Sequence, residues 1–205
     1  MTIRLHRGDL PDLSHYDVGA VAIDTETMGL EPHRDRLCVV QLSPGDGSAD
    51  VVQIAAGSHS APNLMKLLAE PSILKIFHFA RFDLAALRIG LGVMPAPVYC
   101  TKIASRLART YTDKHGLKDL VREILGIELS KQQQLSDWGG EALSDSQVAY
   151  AASDVLHLHA LREKLDAMLA REGRTEMAAA CFRFLPERAR LDLAGWSGED
   201  IFAHS

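Results

Sequence analysis

The sequence has few cysteines and no Cys-x-x-Cys pair. Its three cysteines, Cys38, Cys100 and Cys181, lie far apart in a chain of 205 residues. This spacing argues against a disulfide framework and against a structural zinc site. No apolar run approaches the roughly 20 residues of a membrane-spanning helix, and the N-terminal residues are too polar for a signal peptide. We therefore expect a cytoplasmic protein that does not enter a membrane.

An excess of positive charge is also missing. The chain has 22 Lys and Arg residues against 27 Asp and Glu residues, and its net charge is −5. Proteins that bind long nucleic acids usually carry a broad basic surface, so the composition disfavours that class. One stretch, residues 102–122, is locally basic. It indicates either solvated faces of amphipathic helices or a small cationic wall for one or two phosphates. Its basic residues are Lys102, Arg106, Arg109, Lys114, Lys118 and Arg122.

Apolar periodicity predicts an α/β protein. Short apolar runs predict strands at 3–5, 19–23, 37–42, 51–54 and 73–79, and the short gaps between the early ones favour antiparallel pairing. Helices are predicted at 63–69, 81–89, 101–109, 117–125, 144–171 and 175–191, with Pro186 expected to kink or break the last. This order predicts one domain over residues 1–205, a mixed sheet flanked by helices.

Two acidic residues stand at the end of a predicted buried strand. Asp24 and Glu26 follow an apolar run, and residues i and i+2 of a strand point to the same face. Two negative charges held side by side away from water are costly unless a cation joins them. The pattern favours a site for Mg²⁺ or Mn²⁺, which prefer oxygen ligands. The alternative is a strand end that runs into a solvated loop.

Two later segments add three candidate residues. Asp83 falls in the first turn of a predicted helix, where an acid is also favourable simply because it stabilises the helix dipole. Tyr150 and Asp154 are four residues apart in a predicted helix and so project from one face. The alternative is that Tyr150 packs at the edge of the core and Asp154 faces solvent.

The order of these residues resembles a known enzyme family. Asp24-x-Glu26, then Asp83, then Tyr150-x-x-x-Asp154 is similar to the DEDDy branch of the 3′–5′ exonucleases, and to RNase D in particular. The resemblance covers about residues 18–165, with matching segments at 22–30, 78–84 and 147–154. In size and layout the chain also resembles the compact nano-RNase C group.

The resemblance implies a fold and a mechanism. The fold is the ribonuclease H-like (DnaQ-like exonuclease) α/β fold. Asp24 is expected to bridge two Mg²⁺ or Mn²⁺ ions, and Asp83 to support one of them. Glu26 and Asp154 complete the site that activates water, and Tyr150 orients that water. Each turnover is expected to release one 5′-mononucleotide.

Residues near these motifs are expected to contact substrate. Met28 and Leu30 follow the strand and could wedge against the terminal base, although Leu30 could equally be core. Phe79 stands where the family usually has Asn, which indicates stacking on a base or lining of a pocket rather than a polar contact. Trp138, in a predicted loop at 126–141, either stacks on a base or anchors the loop. The expected substrate-binding residues are Thr25, Met28, Gly29, Leu30, Gln41, His78, Phe79 and Trp138.

We therefore expect a metal-dependent 3′–5′ exoribonuclease that hydrolyses short single-stranded RNA, down to dinucleotides. The alternatives are an RNase D-like enzyme acting on tRNA 3′ ends or on DNA, and a non-catalytic nucleic-acid-binding module on the same fold. No additional nucleic-acid-binding domain is expected. Trp196, Ile201 and Phe202 are apolar residues in the C-terminal tail, which predicts burial against a second copy; the alternative is that they fold back on their own core. The resemblance implies a homo-oligomer such as a ring-shaped octamer.

Overall fold

The computed structural model describes residues 2–129 and 136–204; residues 130–135 of the predicted loop lie outside the described residues. Six strands form one sheet in the order β1-β4-β3-β2-β5-β6. Their bounds are β1 Thr2–Arg7, β2 Ala20–Thr27, β3 Leu37–Ser43, β4 Ser48–Gln53, β5 Leu74–Phe77 and β6 Val98–Cys100. β2, β3 and β4 pair antiparallel, whereas β1 pairs parallel with β4, and β5 pairs parallel with both β2 and β6. The predicted mixed sheet is confirmed.

Helices cover both faces of the sheet. They are α1 Pro62–Ala69, α2 Ala80–Leu91, α3 Thr101–Ala108, α4 Leu117–Leu120, α5 Asp145–Leu156, α6 Leu158–Arg171 and α7 Thr175–Leu191. One buried apolar cluster joins α1, α2 and the end of α7 to one face. A second joins α3, α5 and α6 to the other. The flanking helices predicted from the sequence are thus present.

The alternation of β2 divides its side chains between these two clusters. Val21 and Ile23 belong to the first cluster, under α1 and α2, and Ala22 belongs to the second, under α5. Because side chains alternate along a strand, Asp24 and Glu26 follow Ala22 onto the α5 face. The apolar packing of three preceding residues therefore decides which face carries the acids.

Three predictions of secondary structure differ from the structure, and one strand was missed. β1 was grouped with the antiparallel strands but lies parallel to β4 at the edge of the sheet. β6 was missed because it has only three residues. The predicted helix 144–171 is two helices that break at His157, since α5 packs on β3 and β4 whereas α6 packs against α3. α7 continues to Leu191, so Pro186 does not break it, and Leu185 and Ala189 are buried on either side of the proline. Within residues 2–129 and 136–204, none of the helices has both the length and the apolar character needed to cross a membrane.

A buried carboxylate ties the edge strand β1 to the sheet. Asp50 of β4 accepts hydrogen bonds from Arg4 at 2.7 and 2.8 Å and from the hydroxyl of Tyr16 at 2.7 Å, and it lies 2.7 Å from His6 Nε2. Burial raises the pKa of Asp50, but these partners outweigh burial and lower the pKa to about 2. The ionised carboxylate is therefore the stabilising form.

We expect Asp50→Asn to lower the free energy of unfolding by about 2 kcal/mol at pH 7. Because the pKa is lower in the folded state, this contribution is complete above the unfolded pKa and disappears as the pH falls through the folded pKa. The difference between wild type and variant, measured by urea denaturation, should shrink to about half at pH 3. Asp17→Asn, at an exposed acid beside Tyr16, is the control. An equal difference at both pH values would contradict the ion-pair account.

Candidate active site

Three carboxylates converge where β2 passes under α5. Oxygen atoms of Asp24, Glu26 and Asp154 all lie within 4.8 Å of one another. Asp24 and Glu26 come from alternate positions of β2, and Asp154 comes from the helix that covers this face. The two motifs that are 130 residues apart in the chain therefore form one acidic cluster, as the resemblance to the DEDDy exonucleases implies.

The start of α5 is fixed by its own capping residues. The hydroxyl of Ser144 accepts a hydrogen bond from the backbone N–H of Gln147, and the Gln147 side chain accepts one from the N–H of Ser144. The side-chain Nε2 of Gln147 also donates hydrogen bonds to the Ser136 hydroxyl at 2.9 Å and to the Asp137 carbonyl at 3.0 Å. This capping box stabilises the helix that carries Tyr150 and Asp154.

Asp83 approaches the cluster from the opposite face of the sheet. It lies in the first turn of α2 and is buried. The hydroxyl of Thr25 points to that face too and donates a hydrogen bond of 2.7 Å to Asp83 Oδ1. Thr25 was expected to contact substrate. Its hydroxyl is engaged with Asp83 instead, because the side chain of residue 25 points away from those of residues 24 and 26.

Burial and mutual repulsion dominate the electrostatics of these acids. Burial raises the pKa of Asp24 well above its usual value, and Asp83, Asp154 and Glu26 raise it further. Burial, followed by Asp154 and Asp83, raises the pKa of Glu26. Burial also raises the pKa values of Asp83 and Asp154. These acids cannot all be ionised at neutral pH unless positive charge is added among them.

The donor set fits hard divalent cations. The converging ligand atoms are carboxylate oxygens, which Mg²⁺ and Mn²⁺ prefer over the nitrogen and sulfur ligands typical of zinc sites. Asp24, Glu26 and Asp154 would hold such an ion directly. Asp83 lies behind them and is placed to support the site through its charge.

A cavity of about 350 Å³ opens above the acids, and its opposite wall is partly basic. Lys102 and Lys118 line it, whereas Arg109 of the same basic stretch is buried and paired with Glu123. The cationic-wall alternative therefore applies to two lysines. Sequence reasoning did not separate them from the other four basic residues.

Tyr150 faces Asp154 at the rim of this cavity. Burial, followed by the charges of Asp154 and Glu26, raises the pKa of Tyr150, so its hydroxyl remains protonated and can donate a hydrogen bond. The ring packs against Trp138, with 6.1 Å between ring centroids. Trp138 is only 3% exposed, so it anchors the structure beneath Tyr150 and cannot stack on a substrate base.

Gln41 is also misassigned as a substrate-binding residue. It is fully buried on β3, directly across from Asp24 in the β2–β3 ladder. Its amide Nε2 donates a hydrogen bond of 2.6 Å to Asp24 Oδ2. Gln41 therefore orients the carboxylate, a role that follows from strand register.

The residues that follow β2 differ in whether their side chains are available to a substrate. Leu30 is 79% exposed, so it is not core, and Met28 is exposed as well. Both side chains are free to meet a substrate. A larger residue at Gly29 would clash within the chain, because an added Cβ would lie 2.3 Å from Asp35 Oδ2.

His78 and Phe79 line the cavity between β5 and α2. His78 Nδ1 lies 2.9 Å from the Thr101 hydroxyl oxygen. Burial, followed by the charge of Lys102, lowers the pKa of His78 to about 3, so its ring is neutral. Phe79 is exposed, and Lys102 Nζ lies 4.3 Å from its ring centroid.

Comparison with known proteins identifies the family. A family model described as 3′–5′ exonuclease matches residues 12–170, which is more than half of the chain. The chain belongs to the 3′–5′ exonuclease family. This result agrees with the order of acidic motifs in the sequence and with the cluster that they form.

Individual relatives lie within the same family. Ribonuclease D of Acidiphilium cryptum is 37% identical over an aligned length of 186 residues, and the match covers 85% of this chain and 47% of that protein. The chain thus spans about half the length of the curated relatives it matches. The structure of Brucella melitensis NrnC with bound Mg²⁺ is 63% identical, with a TM-score of 0.97 and complete coverage of both chains. NrnC bound to pGG is 64% identical, with the same TM-score and coverage.

We expect Gln41→Leu to weaken Mn²⁺ binding about tenfold, because Asp24 loses the donor that orients it. Isothermal titration calorimetry with Mn²⁺ alone measures this without substrate. Gln53→Leu is the matched control, since Gln53 is a nearly buried glutamine on the neighbouring strand whose amide donates to the Gly140 carbonyl instead. Equal Mn²⁺ affinity in the Gln41 variant and wild type would refute the orienting role.

Proposed function

We propose that this protein is a 3′–5′ exoribonuclease that hydrolyses short single-stranded RNA, down to dinucleotides, and releases 5′-mononucleotides. The observation that carries the proposal is the convergence of Asp24, Glu26 and Asp154, with Asp83 behind them, at the floor of an open cavity. All four acids of the exonuclease motif are present, which disfavours a non-catalytic module.

The size of the cavity and the similarity to NrnC support a short substrate. A volume of about 350 Å³ falls at the lower end of small-molecule sites. NrnC, which matches this chain along its whole length, is described as bound to pGG, the notation for a guanosine dinucleotide with a 5′-phosphate. A general RNase D-like activity is the second candidate, because the curated relatives at 37% identity are ribonucleases D.

The chemistry assigns a role to each group at the site. Two divalent ions, held by Asp24, Glu26 and Asp154 with Asp83 supporting one of them, would neutralise the scissile phosphate and make the attacking water more acidic. Tyr150 donates its hydroxyl hydrogen bond to orient that water. Lys102 and Lys118, across the cavity, attract the phosphates of the substrate. Met28 and Leu30 meet the terminal base, with Leu30 as the exposed wedge.

We also propose that the protein acts in the cytoplasm as a homo-oligomer, for which a ring-shaped octamer is one form. The C-terminal segment carries exposed Trp196, Ile201 and Phe202, and Phe202 lies beside Phe184 of α7, 5.9 Å between ring centroids. Exposed apolar side chains grouped in this way are typical of subunit interfaces. Light scattering of the purified chain measures its mass.

The decisive experiment for this function is a length series of 5′-labelled RNA from two to about twenty nucleotides, with matched DNA. With Mn²⁺, we expect fastest hydrolysis of the dinucleotide and stepwise release of mononucleotides. Asp154→Asn should lower the rate of hydrolysis by at least 100-fold, while circular dichroism shows that the variant is still folded. Equal rates along the whole series would favour the RNase D-like alternative, and full activity of Asp154→Asn would contradict the acid cluster as the active site.

Tyr150→Phe tests the orientation of water separately from binding. We expect kcat to fall by about 10- to 100-fold with KM nearly unchanged, because the hydroxyl acts on the attacking water and the ring packing on Trp138 is kept. Steady-state kinetics on a dinucleotide measures both constants. A rise in KM alone would assign Tyr150 to substrate binding instead.

A further inference from the structure

Phe79 has an unusual backbone conformation. Among the described residues it is the only non-glycine residue with positive φ, at φ 72° and ψ 42°. The left-handed conformation brings Cβ close to the following carbonyl oxygen, so most residues avoid it. Glycine and asparagine adopt it more readily than phenylalanine does.

The tight turn from β5 to α2 requires this conformation. β5 ends at Phe77 and α2 begins at Ala80, which leaves two residues to reverse the direction of the chain. The Phe79 carbonyl accepts a hydrogen bond of 3.1 Å from the N–H of Phe82 as the helix begins. The turn also delivers Asp83 to the acid cluster. The fold thus needs a left-handed residue at position 79, but it does not need a phenyl ring there.

The ring contributes little to the core. It is 45% exposed and lines the cavity that contains Asp24, Glu26 and Asp154. Lys102 Nζ lies 4.3 Å from the ring centroid, close enough for a cation–π contact that holds the ring in place. A strained backbone together with a solvent-exposed aromatic ring at a functional site indicates that the side chain serves function at the expense of stability.

We propose that Phe79 is the stacking platform for a nucleobase of the substrate and that the strained turn is retained in order to present its ring. This inference rests on the proposed function. Stacking uses the π-face that every base possesses, so Phe79 increases affinity without selecting among bases. One base is expected to lie on the ring while the scissile phosphate lies on the acids.

Two substitutions separate strain from stacking. Phe79→Asn relieves the backbone and removes the ring, so we expect the Tm, measured without substrate, to rise by about 2–4 °C. Phe79→Leu keeps an apolar side chain and the strained backbone, so its Tm should stay near that of wild type. A lower Tm for the Asn variant would overturn the strain argument.

Affinity for pGG tests the stacking role. In Ca²⁺, added to limit turnover, we expect calorimetry to give a Kd for pGG that is about tenfold higher in both variants than in wild type. Two analogues of pGG each carry an abasic ribose in place of one of the two guanosines. For one of these analogues, we expect wild type and both variants to have the same Kd. A tenfold difference that persists with both abasic analogues, or no difference with pGG itself, would overturn the proposal.

The same measurements distinguish this inference from the proposed function. Wild type that binds pGG but releases no nucleotide with Mn²⁺ overturns the proposed function and leaves the stacking result standing. Wild type that hydrolyses pGG, with unchanged Kd in the Asn variant, overturns the Phe79 proposal alone.

Discussion

Repulsion among carboxylates that are buried or half-buried is the constraint on which the rest of the structure depends. Asp24, Glu26 and Asp154 are held within 4.8 Å of one another, and Asp83 lies just behind them, with burial raising the pKa of each. Such a cluster persists only if the elements that carry it are firmly packed. The two apolar cores, one on each face of the sheet, hold β2, α2 and α5 against this repulsion.

Close packing between α5 and the sheet depends on small side chains. Ala151 and Ala152 are fully buried between the two elements, and Ala22 faces them from β2. Because alanine allows backbones to approach, Asp154 can reach the acids of the strand. Polar partners then orient the acids, Gln41 for Asp24 and Thr25 for Asp83. Close packing therefore brings the acids together, and hydrogen bonds orient them.

Local periodicity predicted which candidate residues share a face where one element carries both. The i, i+2 spacing of Asp24 and Glu26 and the i, i+4 spacing of Tyr150 and Asp154 each fix a shared face, and the family resemblance joins the two. Roles that depend on tertiary pairing were not predictable in this way. Gln41 lies opposite Asp24 because of the register between β2 and β3. One sequence does not reveal that register, so Gln41 was assigned to substrate binding instead. For Trp138, the sequence left open whether it stacks on a base or anchors the loop. The burial of its side chain decides between these roles, and that burial depends on tertiary packing beneath Tyr150.

The antiparallel pairing of β2 with β3 also restricts how this protein can change during evolution. Residues 28–36 join the two strands, and insertions there can alter the loop while leaving the ladder intact. One residue inserted between Asp24 and Glu26 would turn every later side chain of the strand to the opposite face. Descendants of this sequence are therefore free to vary in loop length near the cavity, whereas the spacing inside the strand is inherited unchanged for as long as the acids remain in use.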